Sequence, residues 1–217
     1  YTQFSMYQNC PLKWKLEYAD NRRVYEQSIH TIFGTALHET IQNYLTVMYG
    51  HSVKAADAID LELYLKDKLV ELYSAAVKQV GDNHFSTPSQ LMEFYYDGVE
   101  ILRYFKRHRR VYFSSQKHKL IGVELPLTIP LTEQVGFKGF IDIVIHDERD
   151  DTYKIWDIKT STSGWNKYQK KDKTKTAQLI LYKEFYAKQY GVSPDKIDIE
   201  YFIVRRKINP DLEFAPK

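Results

Sequence analysis

The sequence predicts an α/β fold in which a mixed central sheet is flanked by helices and carries a helical insertion. Apolar and polar residues alternate with period two, as expected for strands, in the segments 120–131, 137–146, 153–158 and 198–205. Helical periodicity precedes the first of these segments and separates the last two. Because a crossover helix joins strands of one sheet, we expect the fourth strand to lie beside the others.

The composition is that of a globular protein, and we predict a single domain over residues 1–217. The chain has 43% hydrophobic and 27% charged residues and a net charge of +3, which permits nucleic acid as a partner without requiring it. A single cysteine excludes a disulfide framework and fits a reducing, cytoplasmic compartment. No apolar run approaches the about 20 residues needed to cross a membrane, so we expect no membrane association.

The first helices precede the sheet. Residues 1–20 are predicted to form a helical lead-in that breaks at Pro11, with the neighbouring Cys10 as a small buried hydrophobe. A longer helix is predicted at 34–49, because apolar residues recur there at helical spacing. His38 lies beside that apolar stripe, where a histidine is more often a satisfied core or boundary residue than a metal ligand.

A helical insertion is predicted over about residues 51–118. It comprises one helix at 55–80 and another that starts with Thr87 as its N-cap and Pro88 in its first turn. The second helix ends in basic residues that either stabilise its C-terminus or contact phosphate groups. The candidates for phosphate contact are Arg103, Arg107 and Arg110.

Two of the predicted strands, 137–146 and 153–158, carry one carboxylate each, Asp142 and Asp157. The charged residues between these strands predict a hairpin turn, which would bring the carboxylates together. Lys159 lies two residues after Asp157 and therefore on the same face. Neighbouring carboxylates repel each other unless a cation lies between them, so the group suggests a magnesium-type site. The alternative is a charged sheet edge that limits aggregation.

Three polar residues on neighbouring elements have two interpretations each. Glu124 is the one acidic residue of the first strand, and it is either a third carboxylate of the site or a solvent-facing charge. A helix is predicted at 176–190, where Gln178 and Tyr182 are four residues apart and share a face. They are either part of the site or a surface polar pair.

A polar, lysine-rich loop is predicted between Lys159 and the helix at 176–190. It is either a mobile, solvated connection or a surface that follows a nucleic-acid strand and stacks bases on exposed aromatic rings. The candidate DNA-binding residues in this loop are Trp165, Lys167, Tyr168, Lys170, Lys171, Lys173 and Lys175.

These residues resemble the core of the PD-(D/E)XK nuclease superfamily, in which Asp142 is followed by the run Asp157-Ile158-Lys159. Other segments, in the same order, are similar to motifs of the RecB-type exonuclease branch of that superfamily. They are the opening at 7–14, the histidine helix at 34–38 and the Gln-x-x-x-Tyr motif at 178–182. The resemblance implies a restriction-endonuclease-like core, and it covers nearly the whole chain.

The resemblance also implies a role for each site residue. The implied metal ligands are His38, Asp142, Asp157 and the backbone carbonyl of Ile158, with Glu124 as a further candidate. Lys159 would activate water or neutralise the transition state, and Gln178 would bind near the scissile phosphate with Tyr182 beside it. Magnesium is the expected cofactor, and an imidazole ligand would admit manganese as well.

Two other cofactors are not expected. The chain resembles the CRISPR-associated exonucleases but lacks their iron–sulfur cysteines, since Cys10 is its one cysteine and none follows Tyr201. No glycine-rich phosphate-binding loop is present, so no nucleotide cofactor is expected.

The function that the resemblance implies is metal-dependent hydrolysis of DNA phosphodiesters. An exonuclease acting on single-stranded ends is expected, because the helical insertion and the lysine-rich loop could close a narrow passage over the site. Recombination, repair or phage DNA processing is the implied setting, with recombination or repair proteins as partners. The alternatives are a catalytically weak nucleic-acid-binding subunit of such a complex and an RNA nuclease.

Overall fold

The computed structural model of the protein describes residues 1–23, 27–81, 85–113 and 116–207, and the side chain of Lys170 lies outside the described residues. The helices are α1 (Thr2–Asn9), α2 (Pro11–Trp14), α3 (Ile29–Gly50), α4 (Val53–Asp57), α5 (Leu61–Val80), α6 (Pro88–Tyr112), α7 (Lys167–Lys170) and α8 (Lys173–Tyr190). A π-helical segment, Lys15–Ala19, follows α2, and a 3-10 turn, Pro194–Lys196, follows α8.

The four described strands form one mixed sheet. They are β1 (His118–Pro130), β2 (Gly136–Asp147), β3 (Thr152–Ser161) and β4 (Ile197–Arg205), and their order across the sheet is β1-β2-β3-β4. Strands β1, β2 and β3 are antiparallel neighbours, whereas β4 is parallel to β3. The predicted α/β fold class, the hairpin and the crossover through α8 are therefore confirmed.

Helices cover both faces of the sheet because both faces are apolar. On one face Trp156 joins the buried side chains of α3, among them Leu37. On the other face Ile155 joins Tyr186 of α8. Burying a side chain such as Leu37 contributes about 1.5–3 kcal/mol, so the two helices are held firmly against the strands that carry the candidate site.

Polar N-caps place two helix starts differently from the sequence prediction. The single helix predicted at 55–80 is in fact two helices, because Asp60 accepts a hydrogen bond from the N–H of Leu63 at 3.0 Å and starts α5 anew. Helix α3 begins at Ile29 and not at residue 34, because the hydroxyl of Ser28 caps it. The predicted start of α6 is confirmed by its capping box.

Two further predictions are wrong. Cys10 is exposed and not buried, and its Sγ accepts a hydrogen bond from the N–H of Lys13 at 3.4 Å as the cap of α2. The loop predicted at 160–175 contains α7 and the first turn of α8. Side chains within it form helix caps, because Asn166 and Asp172 accept hydrogen bonds from backbone N–H groups two residues later.

Helices α4, α5 and α6 occupy the described part of the predicted insertion, of which residues 82–84 and 114–115 lie outside the described residues. Both α5 and α6 pack on α3. Asp97 of α6 also pairs with Arg206, just past β4, at 2.9 Å. The position of this lobe over the active site stays a prediction. Within the described ranges, no helix is both long and apolar enough to cross a membrane.

Candidate active site

The candidate site lies where β2 and β3 separate. Their ladder of paired residues ends at Ile143 and Trp156. Beyond that point Asp142 takes the place of a backbone carbonyl, and its Oδ2 accepts a hydrogen bond from the N–H of Ile158 at 2.6 Å. The predicted hairpin therefore holds the side chain of Asp142 in the gap between the two strands, next to the strand of Asp157.

Asp157 is almost completely buried, with 2% of its surface exposed. The ammonium of Lys159 lies 2.6 Å from Oδ2 of Asp157, on the same face of β3 as predicted. That oxygen nevertheless has no hydrogen-bond partner among the described residues, so the contact is an ion pair without hydrogen-bonding angles. Oδ1 accepts a hydrogen bond from Nε2 of Gln178 at 3.1 Å.

Burial and neighbouring carboxylates make both carboxyl groups poor acids. Burial, followed by the charge of Asp157, raises the pKa of Asp142 from 3.8 to about 8, although the Ile158 N–H and Lys159 oppose this shift. Burial also raises the pKa of Asp157, against the opposing charge of Lys159. Glu124 raises the pKa of both groups further. A pair of this kind ionises readily only when more positive charge is supplied.

His38 is held against the carboxylates by α3. Its Nδ1 lies 3.9 Å from Oδ2 of Asp142. Burial, with a smaller effect of Lys159, lowers the pKa of His38 to about 4, so the imidazole is neutral and able to bind a metal. One turn earlier, a Cβ added to Gly34 would lie 2.9 Å from Oγ1 of Thr160, so glycine lets the helix approach β3 closely.

Gln42 is a site residue that the sequence analysis missed. It is buried on α3, and its Nε2 donates hydrogen bonds to Oε1 of Glu124 at 2.9 Å and to the carbonyl of Asp142 at 3.2 Å. Glu124 has a positive φ of 47°, which is unusual for a residue in a strand. Gln42 lies one helical turn after His38, and this spacing is the signal that could have identified it.

Gln178 and Tyr182 lie together on α8, as predicted. Nε2 of Gln178 donates to Asp157 and also to the hydroxyl of Tyr182 at 3.2 Å. The hydroxyl of Tyr201 of β4, a second residue that the sequence analysis missed, donates a hydrogen bond to the carbonyl of Lys175 at 2.7 Å and lies 3.3 Å from Oε1 of Gln178. Burial raises the pKa of Tyr182 to about 12, so its hydroxyl keeps its proton at neutral pH.

The chemistry of this donor set fits a divalent cation. Oδ2 of Asp157 is a buried oxygen without a hydrogen-bond donor, Asp142 is costly to ionise alone, and the imidazole of His38 is neutral. As these side chains stand, no three histidine, cysteine, aspartate or glutamate groups of the described residues form a complete metal-binding cluster. The ligand roles of His38, Asp142, Asp157, Glu124 and the Ile158 carbonyl therefore stay predictions.

The lysine-rich segment is only partly as expected. Tyr168 is 73% exposed, and Lys167, Lys171 and Lys173 are exposed as well. Trp165, predicted to be exposed, is instead half-buried, because its ring packs edge-on against Tyr201 at 4.7 Å between ring centroids.

The two remaining lysines of this segment differ from each other. Lys175 lies 4.9 Å above the ring of Trp165 and pairs with Asp172 at 3.1 Å, so part of its charge is neutralised. The side chain of Lys170 lies outside the described residues.

Among the described residues, the basic side chains at the end of α6 make no contact with Asp142 or Asp157. Arg103 pairs with Glu62 at 2.8 Å and with Glu100 at 2.9 Å, which weakens it as a phosphate ligand. Arg107 and Arg110 are exposed. A shallow cavity of about 580 Å³ is lined by Arg103, Lys106, Arg107, Arg109 and Arg110. DNA binding by this surface stays a prediction.

A mixed sheet whose central strands separate at two buried carboxyl groups and a lysine is typical of nucleases with a restriction-endonuclease-like fold. A family model described as the PD-(D/E)XK nuclease superfamily matches residues 1–215. The chain belongs to this superfamily, whose members are nucleases and generally use divalent metals such as Mg²⁺ or Mn²⁺. No curated protein was found to match the chain. Membership of the RecB-type branch is consistent with this family and stays a prediction.

Proposed function

We propose that the protein is a Mg²⁺- or Mn²⁺-dependent deoxyribonuclease that removes nucleotides from the ends of single-stranded DNA. The observation that carries the proposal is the pair of buried carboxyl groups, Asp142 and Asp157, with the ammonium of Lys159 2.6 Å from the second. The raised pKa of each carboxyl group means that the site favours an added cation.

The proposed metal ligands are His38, Asp142, Asp157 and the carbonyl of Ile158, with Glu124 as a further candidate. When bound, the divalent cation supplies Lewis acidity, which polarises the scissile phosphate and makes water nucleophilic at neutral pH. Asp142 and Asp157 contribute the negative charge that holds the cation. The neutral imidazole of His38 contributes a nitrogen lone pair, which admits Mn²⁺ beside Mg²⁺.

Lys159 is the proposed catalytic cation. Its ammonium group, next to Asp157, either helps to activate the attacking water by holding it with a hydrogen bond or stabilises the charge that develops on the phosphate. Gln178 holds Oδ1 of Asp157 in place, while the hydroxyl of Tyr182 lies 3.2 Å from the Gln178 amide. We propose that both residues also face the scissile phosphate.

Entry from a strand end is proposed because exposed cations and an aromatic ring follow the catalytic strand directly. Lys167, Lys171 and Lys173 all follow Lys159 before the end of the first turn of α8, and they are exposed together with the ring of Tyr168. Cations that follow a backbone and rings that stack bases bind single strands without reading their sequence. A passage bounded by this segment and the helical lobe would exclude a duplex.

The alternatives predict different behaviour. A catalytically weak binding subunit would be expected to lack some of the site positions, whereas His38, Asp142, Asp157, Lys159 and Gln178 are all present. An RNA nuclease would use the same phosphate chemistry, so the substrate must be tested directly. The role in recombination, repair or phage DNA processing, the partner proteins and the cytoplasmic location stay predictions.

The deciding experiment compares end-labelled linear single strands with closed single-stranded circles, as DNA and as RNA, with Mg²⁺, with Mn²⁺ and with chelator. We expect release of terminal nucleotides from linear DNA only, and no cleavage in chelator. Equal rates on circles and linear strands would exclude end entry. Cleavage of RNA alone would show that the substrate is RNA and not DNA. Cleavage in excess chelator would refute the metal-dependent mechanism.

A further inference from the structure

The hairpin of β1 and β2 continues past β3 as a two-stranded arm, which comprises residues 124–130 and 136–142. Within this arm Pro126 is paired with Phe140 and Thr128 with Lys138. The pairing of β2 with β3 begins only at Ile143. Over residues 136–142 the edge of β2 is therefore not paired with β3, beside the point where the candidate site opens.

The two faces of the arm differ sharply. Along 136–142 of β2, exposed and buried residues alternate, and the buried set, which includes Phe137 and Ile141, packs with Tyr182 of α8. A Cβ added to Gly139 on this packed face would lie 3.0 Å from the ring of Phe137 and 3.4 Å from that of Tyr182. The arm is thus fixed against α8, and its other side chains extend away from the core.

The open face carries a ring and a cation beside the site. Phe140 is 46% exposed, and the ammonium of Lys138 lies 5.9 Å from the centre of its ring. Among the described residues Lys138 makes no ion pair. Residues two apart on a strand share a face and are about 7 Å apart, so Lys138 and Phe140 lie next to each other on β2, and Phe140 comes two residues before Asp142.

Phe140 and Phe4 are the exposed phenylalanines among the described residues, and Phe140 is the one that lies near the candidate site. On the opposite strand Pro126 is paired with Phe140 and Thr128 with Lys138, so neither of these cross-strand partners carries a charge. A nucleic-acid strand matches this surface, because its bases stack on a ring and its phosphates pair with a cation. Continuity with the phosphodiester site selects this occupant over a protein.

We propose that the open face of the β1–β2 arm is the binding platform for the substrate strand. Phe140 stacks on a base next to the scissile phosphate, and Lys138 binds a phosphate further along the strand. The inference deepens the proposed function and rests on it for the identity of the strand, single-stranded DNA. Stacking does not discriminate between bases, so the platform serves cleavage without sequence preference.

The test measures binding of a fluorescently labelled single-stranded oligonucleotide by anisotropy, in chelator so that cleavage does not interfere. Phe140→Leu keeps apolar bulk but removes the ring, whereas Phe140→Trp keeps a stacking surface. We expect Phe140→Leu to weaken binding by about 5-fold to about 150-fold, the range that stacking of one base provides. Phe140→Trp should bind like the wild type.

Lys138→Gln provides the electrostatic arm of the same test. It should reduce the slope of log affinity against log salt by about 0.7, as expected when one phosphate of a single strand is no longer neutralised. The matched controls are Tyr96→Leu, which removes another exposed ring, and Lys78→Gln, which removes another exposed cation. Neither control should change binding, and all variants should melt like the wild type because the substituted side chains are exposed.

Unchanged affinity of Phe140→Leu for the oligonucleotide would refute the proposed platform. An equal loss of affinity in Phe140→Leu and Phe140→Trp would also refute it. Failure of the proposed function is recognised separately. If the wild type cleaves no nucleic acid with Mg²⁺ or Mn²⁺ while Phe140→Leu still loses affinity, the platform stands without the nuclease. If the wild type cleaves and Phe140→Leu binds and cleaves equally well, only the platform is refuted.

Discussion

Replacing Asp142 by asparagine should abolish nuclease activity and at the same time stabilise the metal-free protein. Asparagine has nearly the same shape, and its Oδ1 can still accept the hydrogen bond from Ile158 that Asp142 accepts at 2.6 Å. It removes a carboxyl group whose pKa is raised to about 8 by burial and by the charge of Asp157. Wild-type Asp142 therefore opposes folding near neutral pH.

The magnitude follows from linkage between proton binding and folding. The pKa of Asp142 is higher in the folded protein than its ordinary value of 3.8, so its contribution to stability is complete below pH 4 and is lost progressively towards pH 8. At pH 7 the cost is about 4 kcal/mol, at about 1.4 kcal/mol per pH unit. For a domain of this size that corresponds to a melting temperature raised by roughly 8–16 °C in the variant.

Thermal melts in EDTA between pH 4.5 and pH 8.5 measure this effect. Wild-type stability should fall as pH rises, and that of Asp142→Asn should fall much less. Adding Mg²⁺ at pH 8 should stabilise the wild type strongly and the variant weakly. Asp67→Asn on α5 is the matched control, because it removes an exposed carboxylate and should change nothing. A variant that melts at or below the wild-type temperature at pH 8 would refute the reasoning.

Three further predictions concern individual residues. Lys159→Ala should lower the rate of DNA cleavage by about 10²–10³-fold, as removal of a charge-stabilising group does, while single-strand binding persists; a rate within 10-fold of wild type would contradict its role. His38→Ala should weaken metal binding in a calorimetric titration and leave the metal-free melting temperature nearly unchanged, whereas a core histidine would show the reverse. Replacing Lys171 and Lys173 by glutamine should weaken binding to single strands of all sequences. The slope of log affinity against log salt should fall by up to about 0.7 for each phosphate group that is no longer bound. An unchanged slope would show that these two lysines do not bind phosphate.

The sequence predicted those parts of the site that depend on spacing along one hairpin. Asp157 and Lys159 share a face because strand geometry alternates, and a turn of charged residues brings Asp142 beside them. Gln42 and Tyr201 were missed because their roles arise from tertiary contacts. Each contacts residues that are distant in the chain, and the one local signal is the spacing of Gln42, which lies one helical turn after His38.

The wrong predictions have the same origin. Trp165 follows a polar run and was expected in solvent, but its partner Tyr201 comes from a strand 36 residues later. Cys10 was expected to be buried because of its residue type, yet it caps a short helix at the surface. Helix caps such as Asp60 and Asp172 were in the sequence, and they show that short polar side chains decide helix ends more sharply than apolar periodicity does.

The hydrogen bond between Asp142 and Ile158 makes a single amide proton a reporter of the site. The Ile158 N–H is protected from exchange with solvent by a side chain and not by the neighbouring strand, so its exchange rate follows the orientation of one carboxylate. If a metal or a substrate turns that carboxylate, the signal of this one amide changes while the rest of the sheet stays protected. The protein thus carries a native spectroscopic probe at its candidate catalytic centre, and no label has to be introduced.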